Sequence, residues 1–450
     1  EDGGEDIMPT AMRRFRTARC LVNVGAVHIR RDSFEDAMTS LELSMRQSKL
    51  VNSNSSHYHR ACEVSADALE NIGLVLFKQK NYEQSSTMYT EALAARRQCL
   101  ELMESKQNKK RSSKSKQEAR KYKDERNASL LELSVTLFYM SLLRERQGDA
   151  EEAACRCEEA ISIRREVIPN SKQDPNSLNL FSTIGRLYCN ENVMRYKEAL
   201  GYFHEVHRMK CEIVGRDSLD VVPSLNSIAF IYNELEDYQK SIAISDRAID
   251  IATNGRGLNK ESCVAYANKG DAHKKLSDYD TAISSYETAL KTQAKCLDKN
   301  DTMNVEVNEK LAEAHLLAKD MDSAIASLEQ SIALKRTALG PDNVVLARSY
   351  SKLGDYYYAG REHANGIKCH TRALRIFKHH DDKEMAATEH NKIASILKSS
   401  GENNKAMEHY MAALWHSREA RLPSTNPIVA DTIKNVASFQ ARDKELPLQT

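Results

Sequence analysis

A small residue returns at a nearly fixed interval along most of this chain, and that interval constrains the fold more than any other feature. Gly354 is the anchor: twelve residues on comes Gly366, then His370 and Ala373 at further steps of four and three. The frame recurs from Ala229, Gly270 and Ala312 upstream and from Ala394 downstream, at intervals of 41, 42, 42 and 40 residues along 229, 270, 312, 354 and 394. The clearest copy is DYDTAISSYETAL at 278–290, with Ala282, Tyr286 and Ala289 in the slots. Less regular copies begin at Gly25, Gly73, Ser141 and Gly185, which makes nine. Periodicity on this scale marks stacked supersecondary units rather than one closed core.

Steps of four and three follow the 3.6-residue period of an α-helix. Each copy therefore reads as two helices, with the first small residue near the middle of the first one. The turn between them carries Asp or Asn before an aromatic or apolar residue, as in SDY at 277–279, EDY at 236–238, KNY at 80–82 and KDM at 319–321. A glycine inside a helix costs about 1 kcal/mol against alanine. Its repeated use is explained if the second helix approaches closely and inserts a large side chain over it. Composition agrees: only 8 Pro and 16 Gly in 450 residues, with 41% apolar and 29% charged residues, suit a mostly helical folded chain with a large charged surface. The prolines fall at repeat boundaries, near helix starts, or in the terminal segments.

These slots resemble the tetratricopeptide repeat family: a Leu-Gly pair, an aromatic three residues later, then Ala, an aromatic and Ala. In 269–290 they are filled by Lys269-Gly270, His273, Ala282, Tyr286 and Ala289. The likeness covers roughly residues 15–440. The interval near 42, the turn at Gly340-Pro341-Asp342 and the helix SLNSIAFIY at 224–232 look most like the kinesin light chain subgroup. The resemblance implies an all-α, right-handed superhelical solenoid of about nine helix-turn-helix repeats. Residues 427–441, PIVADTIKNVASFQA, read as a lone first helix that caps the array. The expected divisions are an acidic disordered tail over 1–14, repeats 1–2 over 15–104, a basic insert over 105–126, repeats 3–9 over 127–426, the capping helix over 427–441 and a tail over 442–450. The first residue is Glu1 rather than Met, which points to a processed chain or a fragment.

In that family the first helices line a concave groove. The resemblance places Asn226, Asn233, Asn268, Lys275, Glu309, Glu313, Arg348, Tyr358, Asn391 and Lys398 on it. Asparagine suits such a surface because its amide offers both donors and acceptors to an extended peptide backbone. Glu306, Glu309 and Glu313 form an acidic stripe that would favour a basic or hydroxyl-rich ligand segment. The expected function is a non-enzymatic scaffold or adaptor that binds a protein or peptide, with a kinesin light chain-like cargo adaptor as the narrower form.

The interval from Gly73 to Ser141 is 68 residues, and the excess contains SKQNKKRSSKSKQEARKYKDER at 105–126. Lys109, Lys110, Arg111, Lys114 and Lys116 make it strongly basic. A solvated helix extension or a loop is the expectation, and contact with nucleic acid or an anionic membrane is the alternative. The net charge of +1 gives no global signal for either partner.

No catalytic, cofactor or metal site is expected. His379-His380-Asp381-Asp382 has ligand residue types without ligand spacing, and His204 with His207 completes no motif. His28, His273 and His315 recur in the aromatic slot, which marks them as structural. Asn254-Gly255-Arg256-Gly257 lacks the phosphate-loop spacing. Ten cysteines without a CxxC pair read as free thiols in a reducing, cytoplasmic setting.

Overall fold

The computed structural model describes residues 10–51, 58–109, 116–168, 174–254, 259–296 and 302–445. Their helices group into two compact units, residues 1–224 and 225–450. In unit 1, α1 (Thr10–Arg30) pairs with α2 (Phe34–Lys49), α3 (Tyr58–Lys78) with α4 (Tyr82–Lys109), α5 (Lys116–Arg146) with α6 (Ala150–Val167), and α7 (Pro175–Tyr188) with α8 (Tyr196–Val214). Unit 2 continues with α9 (Val222–Glu234) and α10 (Tyr238–Thr253), then α11 (Lys260–Lys275) with α12 (Tyr279–Cys296). It ends with α13 (Thr302–Leu317) and α14 (Met321–Leu339), α15 (Val344–Ala359) and α16 (His363–His379), α17 (Lys383–Ser399) and α18 (Asn403–Glu419), and the single helix α19 (Pro427–Glu445). Nine hairpins and a last lone helix are the architecture the repeat implies. We call the odd-numbered helices first helices and the even-numbered ones second helices.

The small slots do what their spacing predicts. A Cβ built on Gly270 would lie 2.7 Å from Tyr286 Cε1, on Gly185 2.7 Å from Phe203 Cε2, and on Gly25 2.7 Å from Leu41 Cγ. In each case the large residue comes from the second helix of the same hairpin and is fully or nearly buried. Where the second helix carries Ser in its own small slot, the hydroxyl donates to the carbonyl of the first slot: Ser85 Oγ to Gly73 O at 2.8 Å and Ser241 Oγ to Ala229 O at 2.9 Å. Close approach thus brings both dispersion contacts and a hydrogen bond.

The turns share one geometry. A residue with positive φ reverses the chain in all nine hairpins: Asp32, Lys80, Gly148, Met194, Glu236, Ser277, Lys319, Arg361 and Gly401. The next N–H reaches back to a carbonyl five residues earlier, as from Asp278 to His273 and from Asp320 to His315, both at 2.9 Å. This satisfies the end of the first helix. The same Asp then caps the second helix, with Asp237 accepting from Lys240 N and Asp320 from Ser323 N. His273 Nδ1 lies 3.0 Å from Asp278 Oδ2 and His315 Nδ1 3.5 Å from Asp320 Oδ2. His273 therefore braces its turn, while His315 lies beside the equivalent Asp without a hydrogen bond to it.

Three boundaries differ from expectation. Helix α1 begins at Thr10, inside the stretch expected as a tail, and Phe15 already packs against the core of the first hairpin. The basic stretch is helical at both ends, where α4 runs to Lys109 and α5 starts at Lys116, which is exposed. Lys110, Arg111 and Lys114 lie outside the described residues, as does most of the Asn254–Gly257 turn. Helix α19 continues past 441 to Glu445. No helix among the described residues is long and apolar enough to cross a membrane.

Candidate functional site

In unit 2 the first helices are tied to one another by polar side chains. Asn226 Nδ2 donates to Glu261 O at 3.0 Å, Asn268 Nδ2 to Asn226 O at 2.9 Å, and Asn233 Nδ2 to Asn268 O at 3.0 Å. All three asparagines are buried. Their Nδ2 donors hold α9 against α11, while Asn226 Oδ1 and Asn233 Oδ1 have no hydrogen-bond partner among the described residues. A backbone carbonyl of the neighbouring helix is within reach of each amide nitrogen. Asn391 is half-buried, and Lys398 Nζ donates to Asn435 Oδ1 at 2.9 Å, linking α17 to α19.

The acidic stripe is neutralised by lysines. Glu309 Oε1 accepts from Lys335 Nζ at 2.7 Å, Glu313 Oε2 from Lys274 Nζ at 2.9 Å, and Glu306 lies 3.0 Å from Lys310, which also holds Asp271 at 2.8 Å. Burial raises the Glu313 pKa, but the bond and charge of Lys274 outweigh it and hold the carboxyl below its ordinary range. A ligand would find paired charges here, not the bare acidic face expected. Lys275, Arg348 and Tyr358 remain exposed on the first-helix face.

A further network that the spacing did not suggest lies deeper. Fully buried Glu389 accepts from Ser351 Oγ at 2.6 Å and faces His370 Nδ1 at 2.8 Å, while Lys392 Nζ reaches Asp355 at 2.7 Å. The Ser351 hydroxyl points at the carboxylate and not at the imidazole, so the group is not arranged as a nucleophile and its base. No group of three or more His, Cys, Asp or Glu among the described residues is placed to hold a metal ion. No disulfide joins the described cysteines to one another.

Unit 1 carries a cavity of about 390 Å³ between α1, α3 and α5, closed at its base by α4. Glu63, Asp67 and Glu70 line it from one face of α3, with Arg19 and Asn23 from α1, Ser129 and Glu132 from α5, and Arg96 from α4. Arg96 is its buried hub. One nitrogen lies 3.0 Å from both Asp67 Oδ1 and Glu70 Oε2, and Nε donates to Thr136 Oγ1 at 2.7 Å. Burial pushes the Glu70 carboxyl up, and Arg96 only partly offsets it. Burial opposes the Arg96 charge, but Glu70 and Asp67 more than restore it. Glu63 accepts from Ser129 Oγ at 2.8 Å and has no cation partner among the described residues. The spacing of Glu63, Asp67 and Glu70, four and then three, was readable as a shared helix face; the arginine opposite them was not.

A Tetratricopeptide repeat family model matches residues 220–295 and 301–379, and a second Tetratricopeptide repeat model matches 65–101. The longer spans cover the hairpins from α9 to α16, and the short one lies within α3 and α4. Those three spans are tetratricopeptide repeats. No curated protein matches it. Among solved structures, BtubC (BKLC) from P. vanneervenii is 17% identical over 53% of this chain and 96% of its own, with a TM-score of 0.43. TPR-like repeats assigned to a kinesin light chain of Podosopora anserina are 17% identical over 47% and 98%, with a TM-score of 0.38. A tetratricopeptide repeat protein from Parabacteroides merdae is 12% identical over 74% and 97%, with a TM-score of 0.43. Tetratricopeptide repeats form protein-interaction scaffolds, and here they present polar first-helix faces on stacked hairpins.

Proposed function

We propose that the protein is a non-enzymatic scaffold that binds a partner protein or peptide on the first-helix faces, with the unit 1 cavity as the anchoring seat. The carrying observation is that cavity: a concavity of about 390 Å³ lined by convergent polar groups, with Glu63 lacking a cation partner among the described residues. Its walls are preorganised by the Arg96 hub, so a ligand would be met without reordering several long side chains. In unit 2, exposed Lys275, Arg348 and Tyr358 are the contributors this reading retains, with Glu313 as a paired contributor beside them. Asn226, Asn233 and Asn268 act beneath them as braces.

Affinity capture with mass spectrometry tests the reading. The wild type is compared with Glu63→Lys and with a Lys275→Glu/Arg348→Glu/Tyr358→Ala variant, each checked for folding by circular dichroism. Partners lost with Glu63→Lys support the cavity as the seat. A partner set unchanged in both variants contradicts the first-helix faces as the binding surface.

A further inference from the structure

The repeat frame supplies its own control for the first helix of the array. Two positions after the small slot, every later first helix that forms a hairpin buries its residue; examples are Val75 in α3, Tyr356 in α15 and Ile396 in α17. One position before the slot the residue is again buried, as at Ile72, Leu353 and Ile393, with half-buried Lys269 as the exception. In α3 this face is covered by the preceding hairpin, chiefly its second helix α2, in a cluster that includes Leu41 with Ile72 and Val75 and also Val22 and Ile29 of α1.

In α1 the same two positions are Val24 and Val27. They stay apolar, yet they are 44% and 46% exposed. With exposed Arg16, Cys20 and Arg31 they follow helical spacing along one stripe. The flanks are one-signed. Helix α1 holds five arginines and no Asp or Glu. Arg14 donates to Leu50 O and Arg19 pairs with Asp67, but Arg16, Arg30 and Arg31 have no carboxylate partner among the described residues.

We infer that this face is a docking site for an acidic amphipathic helix of a partner protein, seated as the second helix of a preceding hairpin would be. The later hairpins show what kind of element covers this register. The apolar pair Val24 and Val27 gives the seat, and the unpaired arginines at both ends select an occupant with carboxylates on its flanks. The stripe adjoins the α1 wall of the cavity at Asn23 and Ala26 but shares no lining residue with it, so its variants test it apart from that reading.

The test uses the full chain and a labelled 34–49 peptide, FEDAMTSLELSMRQSK, whose sequence forms the helix that covers the matching face of α3. In the acidic probe Arg46 and Lys49 are both replaced by Glu; in the basic control Glu35, Asp36 and Glu42 are replaced by Lys. Fluorescence anisotropy should show the acidic probe binding at least tenfold more tightly than the control, and more weakly as salt rises. Val24→Glu/Val27→Glu should reduce that binding at least tenfold. Arg16→Glu/Arg31→Glu should abolish the preference for the acidic probe. Both pairs are exposed, so the fold should survive, and circular dichroism checks this. Equal binding of the two probes, no binding at millimolar concentration, or binding unchanged in Val24→Glu/Val27→Glu would overturn the inference. So would sedimentation showing that the unliganded protein self-associates through this face, with the association lost in the same variant.

Discussion

The Tyr286 ring lies across Gly270 so closely that a Cβ there would meet Cε1 at 2.7 Å, Cδ1 at 2.9 Å and Cζ at 3.0 Å. The ring cannot readily yield. It is fully buried, and its hydroxyl donates to Asp271 Oδ1 at 2.6 Å. Gly270→Ala should therefore lower the melting temperature of unit 2. Overpacking costs about 1–3 kcal/mol, against a helix-propensity gain of about 1 kcal/mol. Gly270→Leu should lower it further. An unchanged or raised melting temperature in either variant would remove the packing frame on which the repeat assignment rests.

Asn268 and Asn226 are cross-braces, so their loss should appear first in stability. Asn268→Ala removes an amide that bonds a neighbouring carbonyl and should cost about 1–2 kcal/mol in denaturant unfolding. Partner capture by the folded variant should be unchanged. Selective loss of partners at full stability would return these residues to the binding surface.

Lys319 turns the chain with φ of 65° and Ser277 with φ of 61°. Side chains rarely adopt this region, at a cost of roughly 1 kcal/mol that glycine avoids. Lys319→Gly and Ser277→Gly should each stabilise unit 2 by about 0.5–1 kcal/mol. A drop in unfolding midpoint would show that these side chains make contacts that outweigh the strain.

These turns also show what the sequence conveyed and what it did not. The glycine slots, their covering aromatics and the number of hairpins follow from spacing, because backbone approach admits so few residue types. The left-handed turn residue was hidden, since only Gly148 and Gly401 of the nine are glycine. Site residues were less legible. Asn226 and Glu309 sit where the frame puts them, on first helices, but their partners come from residues 35 and 26 positions away. The Arg96 hub joins α3, α4 and α5 across 26 and 40 residues. Periodicity locates a face; it does not say which charges meet there.

His390 is buried in a row with His409 and His416, at ring-centroid distances of 5.1 and 5.4 Å. Burial first, then Lys378 and the other two histidines, lower its pKa from 6.5 to about 3. Burial also lowers the pKa of His409 and His416 and outweighs the opposing charges of Glu408 and Glu419, with Lys378 adding to it at both and Lys383 at His416. The unfolded chain takes up a proton near pH 6.5 and the folded one resists until about 3. This contribution to stability is complete above pH 6.5 and is lost as pH falls toward 3. Amide exchange, corrected for its intrinsic pH dependence, should accelerate in α17 and α18 between pH 7 and 5 more than in α11 and α12. His390→Phe should flatten that difference, and an equal response in both hairpins would contradict it.

Site-specific photo-crosslinking tests the central claim most directly. A photoreactive phenylalanine is placed in the cavity at Asn23 or Asn71, or at exposed Glu91 on the second helix α4. Each protein is irradiated in a lysate of its source cells, and the adducts are identified by mass spectrometry. The account predicts discrete partner adducts from Asn23 and Asn71 that are absent from Glu91. Adducts from Glu91 alone, or the same adducts from all three positions, would contradict it.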